Sequence, residues 1–178
     1  MRFLKLQRFR SNSSRKEIKL LRIKFALITA LLLALSGCAN GSPEMVSISL
    51  APVPYSIQVP SEIAKHLSVE DMALDTSSEF SGQARTAGAV AQVMINYITD
   101  GGTVYGFAGV YYFGKADFEK AGNPNEPPLY GSKVLEEKEM VLAIAGPQDS
   151  IFDPESQDGK NSMALYELIY DPKSFKSS

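Results

Sequence analysis

The sequence predicts an α+β domain: an antiparallel sheet around a central hairpin, with a C-terminal helix packed on it. Three observations carry this expectation. Two apolar, strand-like runs, 84–98 and 103–113, flank the triplet Asp100-Gly101-Gly102. Asp-Gly and Gly-Gly steps supply the positive φ angles that tight hairpin turns need, and Gly101 is the expected site of one. In the second run both alternating sets are apolar: Tyr105, Phe107, Tyr111 and Phe113 on one face, Val104, Ala108, Val110 and Tyr112 on the other. A strand apolar on both faces belongs in the middle of a sheet that is covered on both sides. Near the end, Met163, Leu165, Tyr166, Leu168 and Ile169 lie on one broad helical face across 162–170.

The elements follow in order. Val46, Ile48 and Leu50 alternate with Ser47 and Ser49, a period of two that marks a strand. Pro52 and Pro54 interrupt it, because proline cannot donate to a ladder. Tyr55, Ile57 and Val59 make a second short strand. Ser61 can cap a short helix over 62–67, and the run 68–71 can cap another turn. The Ser-rich stretch to Gln83 reads as loop. Within the first long strand, Val93, Ile95 and Tyr97 share a face, while Gly106 and Gly109 in the second mark candidate bulges. A short helix over 116–121 ends at Gly122, and a Pro-rich loop fills 123–128. Strands at 133–135 and 140–145 surround a charged turn, 136–139, and Gly146-Pro147 stops the second of them. Asn161 caps the last helix, which ends at Asp171-Pro172.

The N-terminal region has a different character. Nine basic residues and one acid precede the run 25–35, which is apolar but for Thr29. A basic start followed by a short apolar run is the pattern of a secretory signal. The run is too short to span ~30 Å of hydrocarbon, which takes ~20 apolar residues. It leads into Leu35-Ser36-Gly37-Cys38. This stretch resembles the lipobox of bacterial lipoproteins, and the resemblance covers the signal region only. It implies a lipid on the Cys38 thiol, cleavage between Gly37 and Cys38, and acylation of the new amino group. The expected organisation is a signal peptide over 1–37, a lipidated cysteine and short tether over 38–45, and a single α+β domain over 46–178. The first 14 residues make a long n-region, so translation starting further along is an open alternative. So are an uncleaved anchor and a buried core segment. The basic block before the run and the change in composition after Cys38 argue against the last.

The net charge of −2 conceals two unlike parts. Residues 38–178 hold 9 of the 18 basic side chains and 19 of the 20 acidic ones, a balance of −10. That excludes a broad basic surface for nucleic acid and gives no attraction to anionic lipid, so the membrane link rests on the lipid at Cys38. Two or more acyl chains make a stable anchor where one does not. Cys38 is the only cysteine, so the domain has no disulfide, no catalytic thiol and no Cys-based metal site.

The loop 146–161 is the most distinctive stretch of the domain. Asp149, Asp153, Glu155, Asp158 and Asn161 are hard oxygen donors of the kind calcium prefers, but Asp153-x-Glu155-x-x-Asp158-Gly159 is one residue too long for a calcium-binding loop. The leading expectation is a solvated turn whose Asp and Ser side chains bond local backbone. A loop for a partner or a cation, with Phe152 as an apolar anchor among acids, is the functional alternative. Phe152 folding inward as a plug competes with that. His66 is the lone histidine and reads as a surface helix residue that Glu62 could face. Tyr97, Tyr105, Phe107, Tyr111, Tyr112, Phe113 and Tyr130 could line a groove, though such stripes are more often core. Glu136, Glu137 and Glu139 read as solvated. No Gly-x-Ser-x-Gly elbow, His-Glu-x-x-His pair or Gly-rich phosphate loop occurs, so neither an enzyme nor a cofactor is expected. The expected function is a lipid-anchored envelope domain that binds a protein or peptide or supports an assembly. The alternative is an inhibitor of a basic lytic enzyme such as a lysozyme, and an envelope enzyme ranks below both.

Overall fold

The computed structural model describes residues 43–74, 79–122 and 128–178. The expected signal peptide, the lipobox-like stretch, most of the expected tether and most of the expected Pro-rich loop lie outside them. From Pro43 on, the chain forms one compact unit of α+β class. Its described strands make two antiparallel sheets, the larger built around the expected hairpin, where one sheet was expected.

The smaller sheet begins with β1 (Met45–Ser49), which takes in Met45 from the expected tether, and β2 (Tyr55–Pro60). Val46 pairs with Val59 and Ile48 with Ile57. The third strand, β8 (Phe175–Ser177), returns from the C-terminus to the free side of β2. Three residues carry too little pattern to be read as a strand, and only the partner makes them one.

Helix α1 (Ser61–Ala64) is a single turn whose N-cap is Pro60, with no side-chain cap from Ser61. The next segment corrects a helical expectation. Residues 67–71 form β3 (Leu67–Asp71), which pairs with the hairpin, Leu67 opposite Tyr97 and Val69 opposite Ile95. Its Ser and acids suggested a cap, but on an edge strand they are the half-exposed, solvated set. The Ser-rich stretch holds α2 (Glu79–Thr86), so residues 84–86, expected in a strand, end a helix instead.

The hairpin is β4 (Ala89–Ile98) and β5 (Val104–Gly114). Thr99 N–H donates to Thr103 O, and Gly102 N–H donates to Thr99 O at 2.9 Å. The left-handed residue is Gly102, at φ +80°, not Gly101. A turn closed by one left-handed residue feeds the right-handed strand twist, and Gly102 is that residue. A Cβ on Gly102 would meet nothing within 4 Å, so its requirement is conformational alone. Gly102→Val should therefore cost about 1–2 kcal/mol and Gly101→Val much less. Thermal melts that rank the two the other way would show that the turn is built differently.

The five-stranded sheet is completed by β6 (Ser132–Glu137) and β7 (Met140–Ala145), in the order β3-β4-β5-β7-β6. β5 is its centre, and α3 (Lys115–Ala121) follows it and ends at Gly122 as expected. The faces of β5 differ from the simple alternation. Ile95 pairs with Ala108 but Asn96 with Gly106, so Phe107 is an extra residue on β5. The bulge turns Phe107 onto the face of Ala108, Val110 and Tyr112, away from Tyr111 and Phe113. Strict alternation fails there because a bulge inserts one residue and resets the parity.

Two cores result. On one face Val93, Ile95, Tyr97, Val110, Leu142 and Ile144 meet the smaller sheet and the last helix, α4 (Gln157–Tyr170), through its Leu165 and Ile169. On the other, Tyr111, Phe113, Val141 and Ala143 pack with Ala84 of α2 and with Tyr130. Each buried Val, Leu or Ile among them contributes roughly 1.5–3 kcal/mol.

Candidate functional site

The chain leaves β7 at Ala145, opposite Gly109, so β5 residues 104–108 have no β7 neighbour. The loop 146–156 runs through this space before α4 begins. Its course is set by its own short side chains. Asp153 Oδ1 accepts from Glu155 N–H, and Ser156 Oγ donates to Asp153 O at 2.6 Å and accepts from Gly159 N–H at 2.9 Å. Ser156, not Asn161, is thus the N-cap, and the helix starts five residues earlier than expected. A Ser at the N-cap satisfies one of the orphan amides of the first turn. Gly159 has no room for a side chain, because a Cβ would lie 2.0 Å from Asp153 O.

This course disperses the acidic residues. Asp153 is engaged with its own backbone, the local bonding expected of a solvated turn. Glu155 is exposed, and Asp149 faces a groove. Asp158 turns inward, where its Oδ1 accepts from Tyr97 O–H at 2.9 Å. Among the described residues no three His, Cys, Asp or Glu side chains converge as a metal site. Phe152 is half-buried, its ring 5.2 Å from Tyr97 and 5.3 Å from Tyr105, so it packs as a plug.

Tyr97 links the hairpin to α4. It is fully buried, and Asn161 Nδ2 also donates to its hydroxyl at 3.3 Å. Burial pushes the hydroxyl up to about 12; Asp158 adds to the rise and Asn161 opposes it. His66 stacks on the Tyr97 ring at 5.5 Å. It is buried rather than on a helix surface, and its carboxylate neighbour is Asp100 at 3.9 Å, not Glu62. His66 Nδ1 lies 2.8 Å from Ile98 O, which can only accept, so Nδ1 carries the proton and donates. The three glutamates expected in one charged turn also separate: Glu136 and Glu137 belong to β6, and only Glu139 lies in the turn, because pairing with β7 extends the strand beyond the apolar residues. Lys115 and Lys133 both bond Glu136 and hold its carboxyl down at about 2, and Glu137 accepts from Tyr55 O–H at 3.0 Å.

The opening that remains is a groove of about 300 Å³ between the loop and α4. Phe107, placed by the bulge, lines it together with Ile151 of the loop and Met163 and Tyr166 of α4. Ile151 is 54% exposed, Met163 53% and Tyr166 45%, so the apolar lining faces water. Asp149 stands on the loop side and Glu167 on the helix side. Sequence reasoning put Met163 and Tyr166 on the buried face. The buried positions of α4 are Gly159, Asn161, Ser162, Leu165 and Ile169, a stripe that includes two polar residues. The small polar pair Asn161-Ser162 was the available signal that the helix is rotated. A smaller cleft of about 180 Å³ lies beside Lys115, Lys133 and Tyr130, but both lysines are paired with Glu136.

Compared with known proteins, the chain matches no family profile, no curated sequence and no solved structure.

Proposed function

We propose that this chain is a lipid-anchored lipoprotein of the bacterial cell envelope whose domain acts by binding a protein partner rather than by catalysis. The observation that carries the binding role is the groove in which Ile151, Met163 and Tyr166 face water over the buried Phe107. An exposed apolar cleft rimmed by polar residues is suited to taking an apolar group of a partner. Leu35-Ser36-Gly37-Cys38 supports the anchor, and the acidic balance of residues 38–178 suits a cationic partner. The same balance favours one second reading, an inhibitor of a basic lytic enzyme.

The two halves are tested separately. A tagged fatty acid should label the chain in growing bacteria and should leave Cys38→Ala unlabelled. Label retained by Cys38→Ala would overturn the anchor. A photo-crosslinker at position 151 in intact envelopes should form discrete adducts, whereas one at the exposed Val90 of β4 should not. Equal yields from both positions, or none from 151, would overturn the binding role.

A further inference from the structure

Resting on that binding role, we infer that the groove receives a basic peptide segment of a protein partner: one or two large apolar side chains inserted between the loop and α4, flanked by Lys or Arg. The apolar part of this assignment comes from the lining. Phe107, Ile151, Met163 and Tyr166 offer an aromatic floor, a branched wall and an adaptable thioether, which together suit an aliphatic or aromatic anchor. Methionine accommodates anchors of differing shape because its three torsions are free and its sulfur is polarisable.

The basic part comes from the charges. The two ionised side chains that line the groove, Asp149 and Glu167, are both carboxylates and stand on different walls. No lysine or arginine is among the described lining residues. Neither carboxylate is engaged in an ion pair among the described residues, in contrast to Glu136, which two lysines hold. Both are exposed, so they cost the free domain little and remain available to a cation. The balance of −10 over residues 38–178 adds a long-range field of the same sign, which speeds the encounter with a cation and repels an acidic competitor. An apolar anchor with a charged rim divides the work, the anchor setting affinity and the rim setting selection.

The test uses the chain purified from bacterial membranes in neutral detergent. Three fluorescent hexapeptides serve as probes: two central leucines flanked on each side by two lysines, the same peptide with glutamates for lysines, and the same with serines for leucines. The first should bind, with affinity falling as salt rises, and each of the others should bind at least about tenfold more weakly. In the double variant Asp149→Lys, Glu167→Lys the preference should reverse toward the glutamate peptide, with an unchanged melting temperature. Met163→Glu should remove the binding of the lysine peptide to the groove by blocking the anchor. Equal binding of the lysine and glutamate peptides, or a double variant with unaltered preference, would overturn the inference. If the glutamate peptide instead binds and Met163→Glu abolishes that binding, the groove is a recognition site of another charge class and the binding role stands. If no peptide binds, the inference is overturned, and if position 151 also forms no adduct in envelopes the binding role fails with it.

Discussion

Gly131→Ala should lower the melting temperature by about 10 °C or more, a loss of at least ~3 kcal/mol. Gly131 closes the turn from Pro128, donating its N–H to Pro128 O at 3.0 Å, and delivers the chain into β6. Its φ is +78°, which already costs an L-residue about 1–2 kcal/mol. Steric overlap adds more than that. A Cβ there would lie 1.9 Å from Ile144 O and 2.4 Å from Ala145 N, both backbone atoms of β7. Backbone in a paired strand cannot swing aside as a side-chain tip can. Either β6 leaves its register, Ser132 opposite Ile144, or β7 moves, with Leu142 and Ile144 in one core and Val141 and Ala143 in the other. Gly122→Ala is the control, since its Cβ would meet nothing closer than 3.5 Å and its φ is negative. Equal melting temperatures for the two variants would contradict the packing of this turn.

Removing the Tyr97 hydroxyl should be costly for a different reason. Tyr97→Phe keeps the ring against His66, Phe107 and Phe152 but strands Asp158 and Asn161 without their shared partner. The expected cost is about 1–3 kcal/mol, rising to about 3–5 for Tyr97→Ala, which also empties the site. The hydroxyl brings its own pH dependence. Its folded value is raised to about 12, against an ordinary value of about 10 for the unfolded chain. Above pH ~10 the unfolded chain loses this proton while the folded chain keeps it, so its contribution is complete below pH ~10 and is lost as pH rises through ~12. Urea denaturation at about pH 9 and about pH 11.5 should show the gap between wild type and Tyr97→Phe narrowing at the higher value. A gap that widens would reverse the sign and refute the assignment. Tyr55, also raised to about 12 by burial and by Glu137, destabilises both proteins in the same window and cancels in the comparison.

Several elements were legible because their signals are local. The alternation of Val93, Ile95 and Tyr97, the Asp100-Gly101-Gly102 turn, the helix before Gly122 and the stop at Gly146-Pro147 depend on residues a few positions apart. β5 declared itself central because Tyr111 and Tyr112 are adjacent and both apolar, and adjacent residues of a strand point to opposite faces. β3 was misread because its pattern is polar at one end. The N-cap was misplaced from Ser156 to Asn161 because both residue types cap well, and only the geometry of the loop at Asp153 selects the first.

The sequence by itself determined the α+β class, the central hairpin, the single cysteine and the concentration of acid after it. These follow from composition, periodicity and turn chemistry, which act over a few residues. The tertiary structure decided the division into two sheets, the bulge that turns Phe107 over, the burial of His66 and Tyr97, and the rotation of α4 that leaves Met163 and Tyr166 in water. Each of these is a choice of partner between segments far apart in the chain. β7 ends opposite Gly109 and α4 buries Leu165 and Ile169, so the groove is the space that two long-range packings leave between them.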